Sequence, residues 1–232
     1  MVYIKKLDLE LNIVHSRIKI CGITKPEDAK LAEDLGAHAI GMVFVPNTPR
    51  FVDLPTAQTI CDSVGPFIQR VGLFVNPTAE QVIQALAEVD LDILQFHGEE
   101  EAFFCESFGL PYLKAVRVQN SQQVLDTDQA HPNASGILVD SYSTKAQGGT
   151  GETFDWNLIP EIERSLILAG GLTALNVAEA IAAVGPYAVD VSSGVEFAPA
   201  VKDAVKMRAF TDAVRDSEAR VKAVRDSEFR QA

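Results

Sequence analysis

Six short stretches of this chain carry groups that can do chemistry. "KICG" holds Cys21, with Lys19 two residues before it. "VPNTPRFV" holds Arg50, "LQFHG" holds His97 and "GILVDS" holds Asp140. "LAGGLT" and "VSSGVE" supply Gly170, Gly171, Ser192, Ser193 and Gly194. A thiol of ordinary pKa, about 8.5, acts as a base only as thiolate, so its pKa must be lowered. Lys19 falls on the same strand face as Cys21 and could favour the thiolate. An aspartate of ordinary pKa, about 4, acts as an acid at neutral pH only when burial or its neighbours raise that value. Arginine is a natural bidentate partner for a carboxylate. Backbone amides in glycine-rich turns suit a phosphate. Each residue also has a plainer use. Buried cysteine is commonly inert filler, as expected for Cys61 and Cys105. Asp140 could cap a turn, as Asp155 is expected to do. Arg50 could be an ordinary surface residue, and His97 is read as structural.

The elements that must position these residues repeat along the chain. Short apolar runs occur at 17–21, 39–44, 67–74, 92–96, 112–118, 136–140, 165–170 and 188–193. Between most of them lie amphipathic stretches such as "PEDAKLAEDLG" and "TAEQVIQALAEV". In the first, Ala29, Leu31, Ala32 and Leu35 make one apolar face, with Pro26 at the start and Gly36 at the end. Strand–helix alternation implies a parallel sheet covered by helices. Eight such units in 232 residues predict a single-domain α/β fold, a (β/α)8 TIM barrel. No G-x-G-x-x-G follows the first strand and no P-loop motif occurs, which counts against a nucleotide-binding open sheet. In such a barrel the site forms at the C-terminal ends of the strands, where Cys21, Asp140 and the two glycine turns fall.

Composition narrows the function classes. A net charge of −12 disfavours nucleic acid as a partner, whereas an anionic small molecule held by local amides and an arginine remains compatible. Three widely spaced cysteines suggest neither a disulfide framework nor a zinc site. No apolar run is long enough to span a membrane, and a cytoplasmic location is expected. Residues 1–16 read as an N-terminal extension that suits an edge strand, because Leu7, Leu9, Leu11 and Ile13 alternate with polar residues. Residues 17–215 are expected to form the barrel. Residues 216–232 are expected to be a charged C-terminal extension of the last helix. The sequence "AVRDSE" occurs twice, at 213–218 and 223–228, and Phe210, Val214, Val221 and Val224 could form a sparse stripe.

"KICGIT", "FVPNTPRFV", "LQFHG", "LVDSYS…GGTGETFDW", "LAGGLTALNV" and "VDVSSGVE" together resemble the phosphoribosylanthranilate isomerases of tryptophan biosynthesis. The resemblance implies a cofactor-free and metal-free Amadori rearrangement of a phosphorylated small molecule, in a monomer or homodimer. It implies Cys21 as general base, Asp140 as general acid and Arg50 against the anthranilate carboxylate. Ring opening needs an acid at the ring oxygen, and migration of the double bond needs a base at C2. The phosphate is expected at backbone amides near Gly171, Ser193 and Gly194, after strands 7 and 8. The Gly148–Gly151 loop is then better read as a lid than as a phosphate cradle.

The family's usual "P-G-x-K-D" reads Pro199-Ala200-Val201-Lys202-Asp203 here, with alanine for glycine. Other readings are a related phosphoribosyl enzyme on the same fold or a non-catalytic phosphosugar-binding barrel. The histidine-pathway isomerase type uses two carboxylates, and indoleglycerol-phosphate synthase relies on lysines. Neither matches a cysteine on strand 1 with an aspartate on strand 6.

Overall fold

The computed structural model describes residues 16–141 and 155–229. The expected edge strand before Ser16 and the Gly148–Gly151 lid lie outside the described residues. Eight strands close a parallel barrel in chain order. They are β1 (Arg17–Cys21), β2 (Ala39–Val43), β3 (Gln69–Phe74), β4 (Ile93–Phe96), β5 (Tyr112–Val118), β6 (Gly136–Ser141), β7 (Leu166–Leu168) and β8 (Ala188–Val191). The circle closes where β8 pairs with β1, Ile18 opposite Val189 and Lys19 opposite Asp190.

Both faces of each strand are buried, which is why the strands read as nearly continuous apolar runs. Alternation divides them between two cores. Leu113, Ala115, Leu138, Ile167, Ala169 and Ala188 fill the barrel interior. Ile18, Ile20, Ile40, Met42, Phe74, Leu94 and Phe96 face outward into the larger core beneath the helices. Lys19 and Cys21, of the same parity on β1, therefore point inward, as do Asp140 on β6 and Asp190 on β8.

The helices are α1 (Pro26–Asp34), α2 (Leu54–Asp62), α3 (Ala79–Glu88), α4 (Ala102–Glu106), α5 (Ser121–Ala130), α6 (Val177–Val184) and α7 (Ala204–Phe229). Their ends follow from local chemistry. Pro26 starts α1, and Gly36 lies just beyond its end at φ +75°, a conformation glycine adopts without penalty. Asp53 accepts from the Thr56 amide ahead of α2, and Thr78 with Gln81 forms a capping box on α3. Between β6 and β7 the described residues hold one 3-10 turn, Trp156–Leu158, and no α-helix. Asp155 accepts from the Asn157 amide at 3.0 Å, the capping role expected of it, and Pro160 follows closely.

After β8 the chain makes a 3-10 turn, Ser193–Val195, and then a small antiparallel pair, β9 (Glu196–Ala198) with β10 (Val201–Lys202). Helix α7 runs through residue 215 without a break and includes both "AVRDSE" copies. Its Phe210 and Val214 are fully buried.

Candidate active site

The strand ends bring the predicted residues to one mouth. Cys21 closes β1 and Asp140 lies next to last on β6, three strands away around the ring. Cys21 is 6% exposed. Opposite it in register stands Gly41 on β2. A Cβ at Gly41 would come within 2.8 Å of the Cys21 sulfur and 3.2 Å of Lys19 Nζ. Glycine there leaves the space into which both side chains turn. Lys19 Nζ donates to Asp190 Oδ1 at 3.0 Å, and both side chains are almost fully buried.

Lys19 favours the Cys21 thiolate, as its spacing suggests, but it does not bring the thiol below its ordinary value. Burial pushes the Cys21 thiol up, and the Lys19 charge opposes that without overcoming it. Burial also works against the Lys19 ammonium, but Asp190 and Cys21 outweigh it and hold Lys19 above its ordinary value. The thiols of Cys61 and Cys105 are both buried and pushed up to about 12, mainly by burial, which fits inert filler.

Asp140 meets His97, which the sequence reading left without chemistry. His97 Nε2 lies 3.3 Å from Asp140 Oδ2. The other ring nitrogen, Nδ1, lies 3.2 Å from the side-chain amide of Gln95, which is wholly buried. Gln95 Nε2 donating to Nδ1 and Nε2–H donating to the carboxylate require the same neutral tautomer. The "LQFHG" stretch carries a signal for this, because Gln95 and His97 share the inward parity of β4.

Arg50 turns inward from the loop after β2. Its Nε and Nη2 donate to the two carboxylate oxygens of Glu196 at 2.7 and 2.6 Å. Burial works against the Glu196 carboxylate, but hydrogen bonds from Arg50 and Lys202 hold it below its usual range. Lys202 Nζ also donates to the Cys21 carbonyl at 2.6 Å and the Ser192 carbonyl at 3.1 Å. Lys202 thereby ties β10 to the ends of β1 and β8. Gly22 packs beneath Arg50, since a Cβ there would meet Arg50 Cδ at 2.5 Å. Glu196 and Lys202 were not among the predicted site residues.

The turns after β7 and β8 touch. Gly170 and Gly171 have φ of +84° and +65°. Asn176 Nδ2 donates to the Gly171 carbonyl at 3.0 Å and braces that turn. A side chain at Gly194 would run into the Leu172 backbone, so glycine lets the Ser193–Gly194 turn lie against "GGLT". Gly171, Ser193 and Gly194 are partly exposed at the mouth. Among the described residues, no group of three His, Cys, Asp or Glu side chains could hold a metal ion, and no helix is long and apolar enough to cross a membrane.

The chain is similar over most of its length to known proteins. Residues 18–213 match the family model for N-(5'phosphoribosyl)anthranilate (PRA) isomerase. An N-(5'-phosphoribosyl)anthranilate isomerase of Pseudomonas fluorescens is 52% identical over 200 residues, covering 86% of this chain and 98% of that protein. One from Azotobacter vinelandii is 51% identical over 202 residues, covering 87% and 98%. The crystal structure of phosphoribosyl anthranilate isomerase from Thermotoga maritima superposes with a TM-score of 0.79 at 37% identity, covering 87% of this chain and 99% of that one. A second such structure holds reduced 1-(o-carboxyphenylamino)-1-deoxyribulose 5-phosphate, with a TM-score of 0.75 and 35% identity, covering 87% and 99%. With residues 18–213 matched by the family model and nearly the whole length of these relatives covered, the chain belongs to the phosphoribosylanthranilate isomerase family.

Proposed function

We propose that this isomerase converts N-(5'-phosphoribosyl)anthranilate to 1-(2-carboxyphenylamino)-1-deoxyribulose 5-phosphate, with Asp140 as general acid and Cys21 as general base. The observation that carries the assignment is the placing of both groups at inward-facing strand ends across one mouth, in a chain of this family. A proton from Asp140 to the ring oxygen lets the C1–O bond break and leaves a protonated imine. The Cys21 thiolate then takes the proton from C2, and the electron pair forms the C1=C2 double bond. Ketonisation places the carbonyl at C2. Hydrogen moves only within the substrate and between it and these two groups, so the chemistry asks for an acid and a base.

The remaining residues bind. Arg50 offers Nη1 and the free N–H of Nη2 to the anthranilate carboxylate while its other edge stays on Glu196. Amides near Gly171, Ser193 and Gly194 take the phosphate. The reaction belongs to tryptophan biosynthesis. The setting we propose is the cytoplasm, with the enzyme acting as a monomer or homodimer.

The test is turnover of freshly generated substrate, followed by loss of its fluorescence. Asp140→Asn and Cys21→Ser are compared with Cys61→Ser and Cys105→Ser. General acid–base catalysis contributes about 10²–10⁴-fold. Asp140→Asn and Cys21→Ser should therefore lose nearly all activity while the two control variants keep theirs. If Cys21→Ser matches the controls, or Asp140→Asn keeps about a tenth of parent turnover, the acid–base assignment is wrong.

A further inference from the structure

We infer that Lys19 is the cation that carries the charge of the Cys21 thiolate, and that Asp190 both holds Lys19 in place and competes with the thiolate for it. The inference deepens the reading of Cys21 as base and rests on it. Its ground is geometric. Lys19 and Asp190 are register partners on β1 and β8, joined Nζ to Oδ1 at 3.0 Å with 5% and 8% side-chain exposure. The Cys21 sulfur and Lys19 Nζ both lie within 3.2 Å of the point where a Cβ of residue 41 would stand. One ammonium thus serves two anionic positions among buried side chains.

The other charges facing Cys21 are already committed. Lys202 reaches it from β10, through the Cys21 carbonyl, and Arg50 from the loop after β2. Both pair with the single carboxylate of Glu196, and the one positive charge left over is taken up by the substrate carboxylate on Arg50 in the proposed complex. Lys19 is the remaining cation, and Asp190 shares it. With Cys21 as thiol, the Lys19–Asp190 pair is neutral. With Cys21 as thiolate, the trio carries one surplus negative charge in a buried space. The resting enzyme therefore keeps the thiol, consistent with the upward push on Cys21. The protonated imine formed on ring opening supplies the missing positive charge. That charge lowers the thiol's pKa, so more of the enzyme stands as thiolate, its proton lost to solvent, at the step that uses it, and the iminium acidifies the C2–H that the thiolate removes.

This arrangement predicts effects of opposite sign, which a merely structural salt bridge would not produce. Lys19→Met removes the thiolate's cation. Asp190→Asn removes the competing anion yet keeps an oxygen that can accept from Lys19. The measurement is the pH dependence of iodoacetamide alkylation of Cys21 in the full chain. Peptide-resolved mass spectrometry separates it from Cys61 and Cys105. The alkylation midpoint should rise by about one pH unit or more in Lys19→Met and fall by about one unit in Asp190→Asn. Lys19→Arg should restore much of the parent midpoint. Midpoints that move in the same direction in Lys19→Met and Asp190→Asn, or do not move, overturn the proposal. Should Lys19→Met fail to fold, Asp190→Asn decides alone, and a midpoint that does not fall overturns it. Failure of the underlying reading looks different. Cys21→Ser would then keep turnover, whatever the alkylation midpoints show.

Discussion

Arg50 and Glu196 form a two-point pair, Nε to Oε1 at 2.7 Å and Nη2 to Oε2 at 2.6 Å, with the Glu196 side chain 4% exposed. The pair fixes the guanidinium plane and leaves Nη1 and one N–H of Nη2 for the substrate carboxylate that the proposed function places there. That carboxylate is present in substrate and transition state alike, so Arg50 supplies mostly uniform binding. A charge-assisted hydrogen bond is worth about 1.5–3 kcal/mol. Arg50→Ala should therefore raise KM about ten- to a hundredfold with kcat little changed. A normal KM with a collapsed kcat would place Arg50 in the chemical step instead.

His97 is expected to support the acid without replacing it. It touches Asp140 at 3.3 Å, and Gln95 sets its tautomer from the other side. Removing the ring leaves Asp140 able to donate a proton but poorly aimed. His97→Ala should lower kcat by about ten- to a hundredfold, the worth of one hydrogen bond to a charged group, and leave KM near the parent value. Steady-state kinetics beside Asp140→Asn checks this. A His97→Ala variant as inactive as Asp140→Asn would make His97 a direct participant in proton transfer.

The barrel was legible because buried parallel strands read as apolar runs and the helices between them carry their own caps. Cys21 and Asp140 were legible because each ends such a run. What the sequence hid depends on pairing across the barrel. Gly41 looks like any glycine in an apolar strand, and only its register with Cys21 shows that a methyl there would displace the sulfur. Glu196 ends the quoted "SSGVE" motif and Lys202 lies in the Pro199–Asp203 stretch, but their joint grip on Arg50 and the β1 end comes from the folding back of β9 and β10. The lysine beside Cys21 was visible in the spacing. The burial that outweighs it was not, because desolvation belongs to the packed interior and not to any one residue.

Ala200 bears a cost that a glycine would avoid. It turns the chain between β9 and β10 at φ +65°, where a Cβ is crowded by backbone, and its carbonyl accepts from Thr24 Oγ1 at 3.0 Å. The turn is kept with alanine in the left-handed region. Ala200→Gly relieves about 1–2 kcal/mol of strain and gives back part of it through a more flexible unfolded chain. A net gain of about 1 kcal/mol corresponds to a Tm rise of about 2–4 °C in a chain of this size. Thermal unfolding of the two proteins should show that rise with kcat unchanged. An unaltered or lower Tm would show that the surroundings already absorb the strain.

Glu100 clasps two loops on the rim. Its carboxylate accepts from the Asn76 amide at 2.7 Å, the Gly98 amide at 2.9 Å and Lys114 Nζ at 2.7 Å. Lys114 also donates to the Gly98 carbonyl at 2.5 Å, next to His97. Burial works against the charged carboxylate, but Lys114 and the amides outweigh it and hold Glu100 below its ordinary value. A carboxylate lowered in the fold stabilises above its unfolded pKa of about 4.3, and that contribution is lost as pH falls through the folded value. The parent should therefore lose Tm on acidification below about pH 4.3. Glu100→Gln leaves Lys114 buried without its counter-ion, which costs about 3–5 kcal/mol at neutral pH. The difference in Tm between parent and variant should be largest near pH 7 and shrink as pH falls through the folded value, because protonation removes in the parent what the substitution removes in the variant. Thermal unfolding of both proteins across that range decides the matter. A gap that stays constant with pH, or no gap at pH 7, would show that the Glu100 charge does not hold these loops.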